Sequence, residues 1–363
     1  MSELVVVGGG IVGVATCYYA SMHGSRATLI ERDEIASHAS GFAFGGLHPR
    51  VENPVHSQMN DFAIASFDEH QRLDQLLRNN DCATSTWRMN ESVALARDEQ
   101  EATLMREACS KPSSHASWVD ATELNKLEPR LCGTIPGGAL TTQSAEVNAK
   151  HLTTAMYELA NPTLISKEVV GCTLKQDKLV GVTLDDGTSI EGDCFVFAMG
   201  PWTSTALQWF GLAPAISPLK GQILRLRMAA APFLHSFSIA GNYMSSKPDD
   251  LVWGGTTEES TGFDETTTPK AAQEIRTVLN HMTDALKNSE VELQTACLRP
   301  ISADGNLILG AVPNYPNAYI ASGGGRKGIL YGPLMGKHIA DQLANPTLAK
   351  AWEAFTPARF VPD

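Results

Sequence analysis

Leu4-Val5-Val6-Val7 is a short, uncharged run of strand formers, and Gly8-Gly9-Gly10-Ile11-Val12-Gly13 follows it at once. Few folds are open to a chain that begins this way. The run reads as a strand buried on both faces, and the six residues after it satisfy G-x-G-x-x-G. Val14 to His23 predicts a helix rich in alanine and aromatics, closed by Gly24. A second apolar run, Ala27-Thr28-Leu29-Ile30, ends at Glu31, eighteen positions past Gly13. Strand, glycine turn, helix and strand in this order form the unit that holds a dinucleotide. Gly8 makes the tight turn, Gly10 lets the backbone approach a pyrophosphate, and Gly13 lets helix and strand pack closely. The helix N-terminus offers unpaired N–H groups and a positive dipole end to the phosphates. Glu31 is placed to accept hydrogen bonds from ribose hydroxyls. A 2′-phosphate would instead call for a small residue beside an arginine, so NAD or FAD is expected rather than NADP.

The 363 residues allow two domains and an ample core. A net charge of −12, with no basic run anywhere, argues against a nucleic-acid footprint. The first strand begins at residue 4, so no signal peptide is expected, and no apolar run is long enough to cross a bilayer. The seven cysteines are odd in number, scattered and never in C-x-x-C spacing. That excludes a disulfide framework and a zinc site, and predicts a cytoplasmic protein with no metal.

Beyond Glu31, the stretch Ala36 to Pro49 is dominated by glycine and small residues, with few charges. Backbone laid along a bulky ligand explains that composition. Asn53-Pro54 is a helix start, and Met59, Phe62, Ala63, Ser66, Phe67, His70, Leu73, Leu76 and Leu77 keep helical spacing after it. Residues 81–144 are mixed and polar, with helices expected near 98–109 and 121–127. A further helix is expected over 146–159. Strands follow at 164–165, 169–170, 179–184 and 194–198, the last ending in Met199-Gly200-Pro201-Trp202. Ile223 to Leu226, Tyr243 and Leu251 to Trp253 suggest an antiparallel sheet, 270–287 a solvated helix, and 291–297 another strand. Near the C-terminus a strand, Ala318 to Ser322, leads into Gly323-Gly324-Gly325-Arg326-Lys327-Gly328, which matches G-x-G-x-x-G a second time. Too little chain remains for a second βαβ unit. The stretch reads instead as a backbone nest and helix N-terminus aimed at a developing negative charge, such as that of a reduced flavin at N1 and C2=O2. The two ends of the chain are therefore expected to meet around one cofactor.

Taken together, Val5 to Gly13 with Glu31, Ser40 to Leu47, Phe197 to Trp202, Pro218-Leu219-Lys220-Gly221, Leu298-Arg299-Pro300 and Gly325 to Leu330 resemble the D-amino-acid oxidase superfamily of flavoproteins. The pattern is most similar to glycine oxidase, with sarcosine oxidase a relative, and the resemblance spans nearly the whole chain. It implies an α/β protein in which a discontinuous Rossmann-like FAD-binding domain (1–80, 145–220 and 293–363) is joined to an antiparallel-sheet α+β substrate domain (81–144 and 221–292).

By position, the resemblance implies FAD contacts from Gly8, Gly10, Ile11, Val12, Gly13, Glu31, Arg32, Ala39, Ser40, Gly45, Gly46, Leu47, Val169 and Gly200. It implies the same for Gly324, Gly325, Arg326, Lys327, Gly328, Ile329 and Leu330. Arg299 matches the arginine that grips the substrate carboxylate, Tyr243 its tyrosine partner, and Arg326 a second arginine of the site. A guanidinium fork is the best clamp for a carboxylate, being bidentate and always charged. His48 departs from glycine oxidase and sits where the loop passes the flavin ring; His235 is the other histidine expected nearby. The implied reaction is hydride transfer from the α-carbon of a small amino acid (glycine, sarcosine or a D-amino acid) to flavin N5, giving an imine that hydrolyses. It calls for no general base. Non-covalent FAD is expected, with Cys297, at the place of a flavin-linked cysteine in sarcosine oxidase, the alternative point of attachment. The oxygen-activating lysine of that relative falls at Val252, which leaves O2 or another electron acceptor open. A homo-oligomer is also open. The alternatives are a flavoenzyme for a hydroxy acid or another carboxylate-bearing amine, and a non-catalytic FAD-binding subunit.

Overall fold

The computed structural model describes residues 3–49, 58–79, 87–111 and 114–362. The helix start read at Asn53-Pro54 and the cysteine at 82 lie outside them. The chain divides into two units, one of Met1–Trp87, Val147–Leu219 and Leu298–Asp363, the other of Arg88–Glu146 and Lys220–Cys297.

The first unit is built on a six-stranded sheet in the order Ile308–Val312, Tyr315–Ser322, Cys194–Phe197, Leu4–Val7, Ala27–Glu31, Thr163–Ser166. All neighbours are parallel except the first pair. Leu4–Val7 is the middle of this sheet and is buried along its whole length, which is why it carries four apolar residues without alternation. The helix Ile11–Met22 follows it, and a C-terminal helix, Gly328–Ala344, packs against that helix. Two glycines set how closely. A Cβ on Gly332 would lie 2.6 Å from the Ile11 side chain, and one on Gly336 would lie 2.6 Å from Ala15 Cβ and Thr16 N. The helix Gln58–Asn79 buries Met59, Phe62, Ala63, Ser66, His70, Leu73 and Leu77 of the expected stripe, leaves Phe67 and Leu76 half-buried, and buries Glu69 and Asp74 besides.

In the second unit, Ser92–Leu95, Ala116–Asp120, Gly137–Thr141, Ser236–Ile239, Asn242–Ser246 and Leu251–Gly255 form a sheet with Ile216–Arg227 and Glu290–Ser302. One face is apolar. Leu224, Leu226, Met244 and Val252 pack there with Ile275, Leu279 and Met282 of the helix Pro269–Met282. The opposite face carries Ile223, Arg225, Tyr243, Ser245 and Trp253, since side chains alternate along each strand.

Three expectations need correction. The segment 81–144 holds three strands of that sheet as well as its two helices; their alternation is broken by glycine and serine, which hides the period. The helix expected from 146 begins at Ala149, because Asn148 caps it by accepting from His151 N–H at 3.0 Å, while Glu146 belongs to a strand. The helix expected over 270–287 ends at Met282 and is amphipathic rather than solvated, with Ala271, Ile275, Leu279 and Met282 buried. Thr283 stops it, turning the chain into a short 3₁₀ segment.

Candidate cofactor and active site

Gly8 adopts φ of 110°, a conformation that L side chains avoid, and a Cβ there would lie 2.4 Å from the carbonyl oxygen of Ala198. A Cβ on Gly13 would lie 2.0 Å from the carbonyl oxygen of Gly8. The turn therefore closes only with glycine at both places. It brings Gly10 to the start of the helix, where Ile11, Val12 and Gly13 have no intrahelical acceptor for their N–H groups. Ser40 Oγ accepts the first of these at 2.9 Å. Glu31 is held at the end of its strand by two backbone donors, Gly9 N–H to Oε2 at 2.5 Å and Asp33 N–H to Oε1 at 2.9 Å.

These groups open on a cleft lined by Gly8, Gly9, Gly10, Glu31, Arg32, Ala39, Ser40, Val169 and Gly200 among others. Eight of the expected cofactor residues thus share one cavity. The sequence reading missed its aromatic wall. Trp202 has the Arg32 guanidinium 4.1 Å from its ring centroid and the His38 ring 5.1 Å away. His38 Nε2 lies 2.8 Å from Asp33, and this contact, with help from Arg32, holds the Asp33 carboxyl below its ordinary range. The strand-to-loop break at Gly200-Pro201-Trp202 was the available signal. Thr203 Oγ1 and Ser322 Oγ both donate to the Gly200 carbonyl, at 2.7 and 2.9 Å, and so fix the loop end of two strands.

The remaining cofactor positions form a second group in the same unit. Gly45 has φ of 80° and would place a Cβ 1.9 Å from the Val147 carbonyl oxygen. Leu47 is fully buried, and its strand Gly46–Leu47 touches the C-terminal helix. Gly323 and Gly325, with φ of 81° and 52°, turn the chain into a 3₁₀ segment, Gly325–Lys327, which leads into that helix. Lys327 Nζ donates to the His48 carbonyl at 3.1 Å, tying the second glycine turn to the end of the Ser40–Pro49 loop. Because Gly332 lies against Ile11, the first turns of the N- and C-terminal helices are neighbours.

That C-terminal helix contains Pro333, which has no N–H for the carbonyl of Ile329. His70 fills the gap. Its Nε2 lies 2.9 Å from Ile329 O and 3.2 Å from Leu330 O. Burial pushes the His70 pKa down to about 4, against the opposing pull of these carbonyls, so the ring is neutral and Nε2 carries its one proton. His70 was read only as core spacing, since nothing in its own helix points to Pro333.

Of the expected substrate residues, Arg299 is half-buried in the part of the strand Glu290–Ser302 that belongs to the first unit, and Arg326 and His48 are exposed in that unit. Tyr243 is half-buried in the strand Asn242–Ser246 of the second unit. His235, with its side chain only 14% exposed, lies 3.3 Å from the exposed Glu91. Val252 belongs to the apolar layer beneath its sheet, and Trp253, the next residue of that strand, is on the face of Tyr243. Among the described residues no cluster of His, Cys, Asp and Glu could hold a metal ion, and no helix is long and apolar enough to cross a membrane.

A parallel sheet, a glycine turn that admits no Cβ, a helix N-terminus and a backbone-held acid at the next strand end define a dinucleotide-binding oxidoreductase. The family model described as FAD dependent oxidoreductase matches residues 3–342, and the chain belongs to that family. The glycine oxidase of Pseudomonas aeruginosa is 29% identical over 354 residues, covering 95% of both chains. The crystal structure of glycine oxidase from Bacillus cereus superposes with a TM-score of 0.87 at 22% identity, over 94% of this chain and 96% of that one. The one from Geobacillus kaustophilus gives 0.87 at 23% identity, over 95% of both. The residues present fit FAD: the cleft offers its glycine turn and helix amides to a pyrophosphate and Glu31 to a ribose.

Proposed function

We propose that this protein oxidises a small amino acid of the glycine, sarcosine or D-amino acid type at its α-carbon, giving an imine that water hydrolyses. Bound FAD supplies the hydride acceptor. The observation that carries the reading is the 29% identity to a glycine oxidase along 95% of both chains, with Arg299 standing in the Leu298-Arg299-Pro300 stretch. Arg299 grips the substrate carboxylate through its planar fork, Arg326 and His48 border the substrate, and the Tyr243 hydroxyl is a donor to a substrate carboxylate. The backbone of Gly324 to Leu330, with the N-terminus of the C-terminal helix, offers fixed dipoles to negative charge that develops beside it. A neutral amine needs no general base, so these residues act by positioning. Val169 and the residues of the glycine-turn cleft hold the cofactor without a covalent bond, and Cys297 keeps its thiol.

The test is anaerobic flavin reduction by wild type, Arg299→Ala and Arg299→Lys. Removing the guanidinium leaves a carboxylate without its partner, a loss of roughly 3–5 kcal/mol, so kcat/KM should fall by about two to four orders of magnitude. FAD content should not change, and lysine should recover little. Near wild-type reduction in Arg299→Ala at low substrate, or a preference for the decarboxylated amine, would refute the assignment.

A further inference from the structure

Arg225 is a feature of the second unit that its packing does not explain. Its guanidinium lies over Trp253, with Cζ 3.8 Å from the ring centroid, and its Nε is enclosed with no hydrogen-bond partner among the described residues. Arg88, Arg130 and Arg359, by contrast, each have a carboxylate within 2.9 Å. Asp249 is the acid nearest in influence, but both its oxygens are engaged: Oδ2 accepts from the Trp253 indole N–H at 2.9 Å and Oδ1 from Leu251 N–H at 3.2 Å. Asp249 therefore fixes the ring on which Arg225 lies. Lys247 Nζ also lies over the Trp253 ring, at 5.8 Å from its centroid, and the acid it pairs with, Glu146, is shared with Arg88, each at 2.9 Å. Among the described residues positive charge is in excess here, in a half-buried place where an unmatched guanidinium is costly.

The sheet register says what this charge faces. Arg225 pairs across Trp253 with Ser245, and two residues along each strand Ile223 pairs across Gly255 with Tyr243. Arg225, Trp253 and Tyr243 therefore share one face, and the apolar layer and its helix cover the other. Strand spacing and rise put the Cα atoms of Arg225 and Tyr243 about 12 Å apart, a distance that two long side chains shorten to the span of a small molecule.

We infer that Arg225 is the grip for a second carboxylate, so that the substrate class is amino acids with an additional acidic group, on the side chain or on the nitrogen. This rests on the proposed amino-acid oxidation, with Tyr243 touching the first carboxylate. Trp253 covers one side of the guanidinium, and the acid that this arginine lacks among the described residues arrives with the substrate.

The experiment compares anaerobic flavin reduction in the holoenzyme by iminodiacetate, D-aspartate and D-glutamate with that by glycine, sarcosine and D-alanine. Titrations of the flavin absorption spectrum with malonate and with acetate supply a binding readout independent of turnover. The best diacid should exceed its monocarboxylate counterpart in kcat/KM by roughly 10- to 100-fold, the factor that a hydrogen bond to a charged group supplies. Malonate should bind more tightly than acetate by a similar factor. Arg225→Met should erase most of that advantage through KM, lowering diacid kcat/KM far more than that of the monocarboxylates, and Arg225→Lys should restore part of it. Equal rates and equal binding for the two classes in wild type would overturn the inference, whether or not the variants fold. So would an Arg225→Met enzyme that loses both classes alike. If no amino acid of either class reduces the flavin, the parent reading falls and this one with it; reduction by monocarboxylates alone removes only the role of Arg225.

Discussion

His70→Leu removes the donor that answers Pro333 while nearly keeping the buried volume. The carbonyl of Leu330 retains a partner within its helix, but that of Ile329 does not, because the residue four positions on is the proline. One buried acceptor is thus left unmade, which costs about 1–3 kcal/mol. His70→Gln, whose amide reaches to about the same place, should cost less than half as much. Pro333→Ala supplies the missing N–H, so in the His70→Leu background it should recover most of the loss, a coupling of roughly 1–2 kcal/mol in a double-mutant cycle. Urea unfolding of the four apoproteins gives the energies, and flavin fluorescence gives the FAD affinity, which should fall with stability because His70 holds the turn leading into Ile329 and Leu330. If Pro333→Ala and His70→Leu simply add, His70 is core filling and the account of the gap is wrong.

Stability should also depend on pH through buried imidazoles. His70 and His338 are both pushed to about 4 by burial, against an ordinary value of 6.5. The unfolded chain therefore binds more protons between those values, so stability is full above pH 6.5 and falls as pH drops toward 4, by roughly 2–3 kcal/mol for each histidine. His70→Gln should flatten that slope in pH-dependent melts, and an unchanged slope would mean that burial does not lower the pKa of the ring. Glu31→Ala should weaken FAD by about 10- to 100-fold, the worth of hydrogen bonds to a charged group, as read by flavin fluorescence on dilution; an unaltered dissociation constant would remove Glu31 from the cofactor site. Gly336→Val must push the N- and C-terminal helices apart, since even a Cβ would meet Ala15 and Thr16 at 2.6 Å. It should cost about 1–3 kcal/mol in urea unfolding, as at other overpacked sites, and unchanged stability would show that the helices can part freely. Acid precipitation should leave flavin in the supernatant; flavin retained in the pellet, and lost from it in Cys297→Ser, would show a covalent bond.

The cofactor end of this protein could be read from local chemistry alone. Four apolar residues ahead of G-x-G-x-x-G, and an acid at the end of the next strand, are contiguous in the chain. Their spacing encodes a steric demand that any fold must meet: no Cβ at Gly8 or Gly13. The α/β class and the dinucleotide cleft follow from that stretch, and the acid at Glu31 narrows its ligand. Other features depend on residues that meet only after folding. His70 looks like any buried histidine until Pro333, far along the chain, is set beside it. Gly332 and Gly336 look like ordinary helix weaknesses until Ile11 and Ala15 press on them. Ser40 reads as loop until it caps the first helix. Register decides the rest: one position along the strand Leu251–Gly255 moves a side chain from the apolar layer, where Val252 lies, to the face of Tyr243, where Trp253 carries Arg225. A sequence records which side chains alternate along a strand, but the face that meets the apolar core is chosen by what packs against it, and that partner comes from elsewhere in the chain.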